Sequence, residues 1–218
     1  MNLNNYQKII RSLPTNVQLV AVSKHQSYNN ILNVYNVGQK VFGENRPLEL
    51  QDKYDNLPKD IQWHFIGHLQ TNKIKNIIQY VSLIHSVDSI KLLEEINKEA
   101  AKINRVVDVL LEFHIADEIT KQGFDFVEIT DYLSSSQYKK LKNINIVGVM
   151  GMATFTDDEN KIRSEFKRLK SYFDVLKEKF FACNSFKEIS MGMSNDYGIA
   201  IEEGATLVRI GTAIFADN

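Results

Sequence analysis

Lys24 directly follows the apolar run Gln18-Leu19-Val20-Ala21-Val22-Ser23. Side chains alternate along a strand. If Lys24 points into a closed barrel, Val22 and Val20 do too, and Leu19, Ala21 and Ser23 face outward. At an apolar mouth, desolvation lowers the pKa of an ammonium and exposes the neutral amine. That amine is the nucleophile that condenses with a carbonyl to form a Schiff base. From position alone, the alternative is a surface lysine that ends a strand.

The C-terminal fifth carries a second set of groups. One apolar run ends in Met191-Gly192-Met193-Ser194, and another contains Arg209-Ile210-Gly211-Thr212. Glycine lets the backbone approach an anion closely. Free N–H groups at a helix start attract phosphate, and Ser194 is expected to begin a helix. Otherwise these glycines only make tight turns and Ser194 only caps a helix. If Leu207 faces the barrel interior, Arg209 does as well, while Val208 and Ile210 pack on helices. A buried guanidinium needs an acceptor. It only donates and stays protonated, so against a pyridine nitrogen it would keep that nitrogen unprotonated. The alternative is an ion pair with a structural carboxylate such as Glu44 or Glu112.

Asn45, in Gly43-Glu44-Asn45, could hydrogen-bond a ring or its substituent, or serve as a turn residue or helix cap. His64 reads as a hydrogen-bonded core histidine, and His68 as a loop cap. His25, His85 and His114 lack metal-ligand spacing, so no metal is expected. Neither a GxSxG elbow nor a Cys/His pairing is present.

These residues need elements to position them. Strands are expected at 18–23, 40–42, 62–66, 83–86, 106–113, 144–150, 188–191 and 206–210, with a helix between most neighbours. Ser27 can cap a helix bearing Ile31 and Val34, with Gly38 just past its end. Asp88 can cap a helix over 89–103 with Ile90, Leu93, Ile96, Ala100 and Ile103 on one face. Thr156 and Glu159 form a capping box. They open a long helix whose buried stripe is Ile162, Phe166, Leu169, Phe173 and Leu176. A last helix, capped by Ser194, stops at Gly204. Consecutive apolar positions, as in Leu19 to Val22, suit parallel strands buried on both faces. Eight such units close into a single (β/α)8 TIM barrel spanning 1–218. An open doubly wound sheet is the other arrangement with this pattern, but no GxGxxG follows the first strand.

Composition narrows the function further. Of the 218 residues 44% are apolar, enough for a sizeable core, and the net charge of −1 comes without a basic stripe for nucleic acid. The single cysteine, Cys183, excludes an internal disulfide. The N-terminus lacks a secretory h-region, and no apolar run could span a bilayer. The expectation is a cytoplasmic, soluble protein.

The chain resembles the pyridoxal 5′-phosphate (PLP) homeostasis proteins, related to the alanine racemase barrel (fold type III). The resemblance runs from about Leu19 to Phe215. It is carried by VAVSK at 20–24, FGEN at 42–45, WHFIGHLQTNKIK at 63–75, IHSVD at 84–88, GVMGMA at 148–153 and SMGMSNDYGIAIEEGATLVRIGTAIF at 190–215. It implies Lys24 as the Schiff-base lysine and Asn45 as the asparagine near the cofactor. It also implies Met193 as cofactor-lining and Ser194 as phosphate-contacting. Gly211 and Thr212 would be the second phosphate turn, and Arg209 would face the pyridine nitrogen. His114 and Ala216 depart from the family's usual Asn and Gly.

The implied role is a PLP carrier acting in vitamin B6 homeostasis and amino-acid balance, not an enzyme. Candidate recipients are PLP-dependent apoenzymes, and a monomer or weak dimer is expected. Racemases on this fold need a second acid/base from an added domain and a partner subunit, for which a chain ending at Asn218 has no room. An arginine against the ring nitrogen also weakens the electron sink of carbanion chemistry. The alternatives are a low-activity racemase using Lys24 with Tyr197 or His64, and a barrel enzyme using Lys24 on a sugar-phosphate carbonyl. Lys73, Lys75, Lys102 and Lys121 are solvated lysines available to a second PLP.

Overall fold

The computed structural model describes residues 3–117, 122–182 and 184–215. The order is α1 (Leu3–Ser12), β1 (Gln18–Val22), α2 (Tyr28–Asn36), β2 (Val41–Glu44), α3 (Pro47–Asn56), β3 (Gln62–Phe65), a 3-10 segment (Thr71–Asn76), β4 (Val81–Val87), α4 (Ile90–Lys102) and β5 (Val107–Phe113). Then come α5 (Phe126–Ser134), a 3-10 turn (Tyr138–Lys140), β6 (Ile144–Gly151), α6 (Glu159–Lys179), β7 (Glu188–Ser190), α7 (Tyr197–Glu202), β8 (Leu207–Ile210) and α8 (Thr212–Phe215). The eight strands pair in sequence order, all parallel, and β8 closes on β1 with Leu207 opposite Gln18 and Arg209 opposite Val20.

Closure sorts the side chains into two layers. Val20, Val41, Leu83, Leu110, Val147 and Leu207 pack inside the barrel as an apolar plug. Leu19, Ala21, Phe42, Trp63, Phe65, Val208 and Ile210 pack outward with the helices. The parity expected around Lys24 and Arg209 is therefore the observed one. Two residues further along, the inward positions become Val22, Gly43, His85, Glu112 and Arg209. The barrel thus changes from apolar to polar over one strand period, just below its C-terminal mouth.

Several local expectations are corrected. Helix α4 is capped by Ser89, whose hydroxyl accepts from Leu92 N, rather than by Asp88. Ile103 falls past its last turn and is exposed. Helix α6 is capped by Asp158, whose carboxylate accepts from Asn160 and Lys161 N, while Thr156 Oγ1, two residues earlier, accepts from Asp158 N. Strand β2 runs on to Glu44 because Gly43 and Glu44 pair with His64 and Phe65. Ser194 lies in a turn, and α7 begins only at Tyr197, after Asp196.

The α6 stripe of Ile162, Phe166, Leu169, Phe173 and Leu176 is buried as its spacing predicts. Each such side chain contributes roughly 1.5–3 kcal/mol. Glu165, on the same helix and also buried, takes Thr154 N and Oγ1 at 2.7 Å each. It ties the loop after β6 to α6. Among the described residues, no helix is long and apolar enough to cross a membrane.

Candidate functional site

A cavity of about 800 Å³ opens at the C-terminal ends of the strands. Six of the seven residues singled out in the sequence line it: Lys24, Asn45, Met193, Ser194, Arg209 and Thr212. Gly211 stands between two of them, where an added Cβ would come within 3.0 Å of the Val22 carbonyl oxygen.

Lys24 sits in the turn after β1 and is exposed. This corrects the expectation of an amine stripped of water by apolar walls; it meets solvent at the mouth. Asn45 follows β2, and its Oδ1 is buried with no hydrogen-bond partner among the described residues. Its position is set by Gly67, since a Cβ there would lie 2.4 Å from the Asn45 carbonyl oxygen. Only a residue without a side chain permits that approach.

On the opposite side, Gly192 takes a φ of +91°, and a Cβ would come within 2.6 Å of Ala200 Cβ. The turn that follows is closed by Asp196, whose Oδ1 accepts from Met193 N at 2.5 Å. Ser194 therefore leaves its hydroxyl at the cavity wall instead of capping α7. Thr212 is exposed at the first residue of α8.

Arg209 forms part of the cavity lining and is 5% exposed. Its Nη1 donates to Ser190 Oγ at 2.5 Å and its Nη2 to the Gly151 carbonyl at 3.1 Å. It pairs with neither proposed carboxylate. Glu44 points outward, where Lys53 Nζ lies 2.7 Å from its Oε1 and Ser23 Oγ donates to the same oxygen. Glu112 faces Arg209 from the barrel interior without ion-pair contact among the described residues, and burial first, then Asp88, push its carboxyl up to about 8. Burial lowers Arg209 itself to about 10, against the opposing fields of Glu112 and Asp196.

His64 is the hydrogen-bonded core histidine expected, with Nδ1 3.0 Å from His85 Nε2. His85 Nδ1 lies 2.8 Å from Ser190 Oγ. Burial pushes His64 down to about 3; burial, His64 and Arg209 hold His85 well below its ordinary value, so both rings are neutral. The sequence reading missed Ser190 and the use of His85, although the step of two from Leu83 marks His85 as inward-facing. His68 Nδ1 lies 3.2 Å from Asp88 Oδ2 at the rim. Tyr197 packs with the outer core and does not line the cavity. Lys121, Cys183 and Ala216 lie outside the described residues.

A closed parallel barrel with these groups at the ends of its first, second, seventh and eighth strands defines a class before it defines a protein. The family described as "Alanine racemase, N-terminal domain" matches residues 3–218. The alanine racemase of Clostridium difficile 630 shares the fold, with a TM-score of 0.74 at 14% identity, over 98% of this chain and 56% of that one. The pyridoxal phosphate homeostasis protein of Aquifex aeolicus (strain VF5) is far nearer: 39% identical over 201 residues, 92% of this chain and 86% of the relative. PipY of Synechococcus elongatus PCC7942, solved with PLP bound, superposes with a TM-score of 0.88 at 31% identity, covering 98% of this chain and 99% of that one. The chain belongs to the pyridoxal phosphate homeostasis protein family.

Proposed function

We propose that this protein binds PLP through Lys24 and holds it for supply to other proteins, without turning over amino acids. The observation that carries the reading is the convergence of Lys24, Asn45, Ser194, Arg209 and Thr212 on one cavity. The residues fit the group. Asn45 Oδ1 is a buried acceptor awaiting a donor, and the close-packed Gly192 and Gly211 turns bring backbone and hydroxyls to one wall.

PLP supplies an aldehyde that condenses with a primary amine. Lys24 is the primary amine among these five residues, and its exposure lets the cofactor enter and leave. Ser194 and Thr212, with the turns that carry them, hold the phosphate. Arg209 donates to the pyridine nitrogen and, being always protonated, leaves that nitrogen without a proton. This weakens the electron sink that amino-acid chemistry requires. Neither candidate second base of the racemase alternative is placed for that role: Tyr197 is outside the cavity lining, and His64 is occupied in the core.

The reading extends to a cytoplasmic monomer or weak dimer, one barrel over 1–218, that hands PLP to apoenzymes. The relatives' name and the PLP-bound neighbour support the PLP part of this reading.

The test is the absorption spectrum of purified protein with PLP, before and after borohydride, for wild type and Lys24→Ala. The expected result is a visible band that borohydride fixes on Lys24 and that the variant lacks. An identical band in the variant, or none in the wild type, overturns the proposal.

A further inference from the structure

We infer that His64, His85 and Ser190 form a positioning relay for Arg209, with protons ordered from Ser190 to His85 to His64, that keeps the guanidinium facing the cavity instead of a carboxylate. The inference rests on the proposed PLP reading only for the ligand that Arg209 meets.

The relay spans the barrel. His64 on β3 touches His85 on β4, and His85 touches Ser190 on β7 across the interior. Ser190 in turn accepts from Arg209 on β8. Ser190 is wholly buried, and its hydroxyl has two hydrogen-bond partners among the described residues, Arg209 and His85. Arginine only donates, so the one hydroxyl proton of Ser190 goes to His85 Nδ1. The reverse order would leave that proton buried without an acceptor among the described residues. A neutral imidazole has one N–H. With Nδ1 accepting, His85 carries its proton on Nε2 and donates to His64 Nδ1. His64 then carries its own proton on Nε2.

This order gives the Ser190 hydroxyl proton and the His85 N–H each an acceptor. A hydroxyl that donates is also a stronger acceptor, so Ser190 grips Nη1 more firmly. The choice of neutral partners matters because Glu112 and Asp196 both act on Arg209 through their fields. Glu112 is buried as a neutral acid near pH 7 and Asp196 Oδ1 is taken by Met193 N, so neither draws the guanidinium into an ion pair and away from the cavity. Ser190 and the Gly151 carbonyl hold it with its charge intact. His85 and His64 thus act through Ser190 and touch no ligand.

Two measurements test this. In ligand-free wild type, imidazole 15N shifts at pH 7 should report a bare Nδ1 and a protonated Nε2 on both rings. A proton on His85 Nδ1 overturns the order. In the PLP-loaded protein, Ser190→Ala should lower the pH midpoint of the visible band by about one unit. It should weaken PLP binding about tenfold, while Ser190→Thr keeps the hydroxyl and restores both. Losing the Arg209 contact would let the pyridine nitrogen of bound PLP take a proton, and the midpoint of the band would move with it. A purely structural role for Ser190 would lower the melting temperature and leave the midpoint in place, which sinks the relay. If wild type forms no band at all, the PLP reading fails, and the ring protonation still decides the relay.

Discussion

The Lys53 ammonium lies 2.7 Å from the Ser23 carbonyl oxygen, immediately before Lys24, and 2.7 Å from Glu44 Oε1, immediately before Asn45. One buried cation on α3 therefore joins the ends of β1 and β2, from which two cavity residues emerge. Glu49, one turn earlier on α3, completes the cluster at 2.7 Å from the same nitrogen and also accepts from His25 N at 2.7 Å.

Removing one member of a buried ion pair strands the other without compensation. Lys53→Met should therefore destabilise the fold by about 3–5 kcal/mol in urea denaturation. It should also weaken PLP binding, because both turns lose their common anchor. A loss below about 1 kcal/mol would mean that water replaces the ammonium.

The phosphate assignment is tested by Ser194→Ala and Thr212→Val. Each removes one hydrogen bond to a charged group, worth roughly 1.5–3 kcal/mol. PLP dissociation constants should rise tenfold or more, with the Lys24 band still forming at saturation. Unchanged constants would remove these residues from the phosphate site.

Stability should fall as pH drops from about 6.5 toward 3 because of the buried histidines. His64 and His85 have folded pKa values below their unfolded ones. The unfolded chain therefore binds more protons in that window, and stability rises with pH across it. Each ring contributes up to about 1.4 kcal/mol per pH unit. Denaturation midpoints between pH 7 and 4 should fall less steeply for His64→Gln than for wild type. Parallel slopes would refute neutral burial of His64.

Glu112 works in the opposite direction. Its folded pKa is raised to about 8, so the folded state holds a proton that the unfolded state loses near the ordinary carboxyl value. Its contribution is complete below that value and is lost as pH rises toward 8, at up to about 1.4 kcal/mol per unit. Glu112→Gln should be more stable than wild type at pH 8.5 and should lose that advantage at pH 5. An advantage independent of pH would mean that the carboxyl is not buried as a neutral acid.

Much of the architecture is legible from local pattern. The period of two assigns Lys24 with Val22 and Val20, and Arg209 with Leu207, to the inner face. Spacings of three and four assign the α6 stripe. Helix starts are less legible, because neighbouring residues compete. Asp88 and Ser89 can both cap, and the backbone leaves Ser89 within reach of Leu92 N. Thr156 and Asp158 compete in the same way, and Asp158 is the one that meets two free N–H groups. Ser194 reads as a cap, but the turn closed by Asp196 delays α7 by two residues and turns Ser194 toward the cavity.

The chain alone thus determined which side of the first and last strands is inward, where the long helix lies and which residues stand at strand ends. Those follow from backbone sterics and periodicity acting over a few residues. Tertiary structure decided the partners: Lys53 with Glu44, Arg209 with Ser190 in place of a carboxylate, and His85 with Ser190, 105 residues away. A hydrogen bond depends on a separation near 3 Å. Only closure of the barrel, which brings β4 opposite β7 and β8 beside β1, sets those separations.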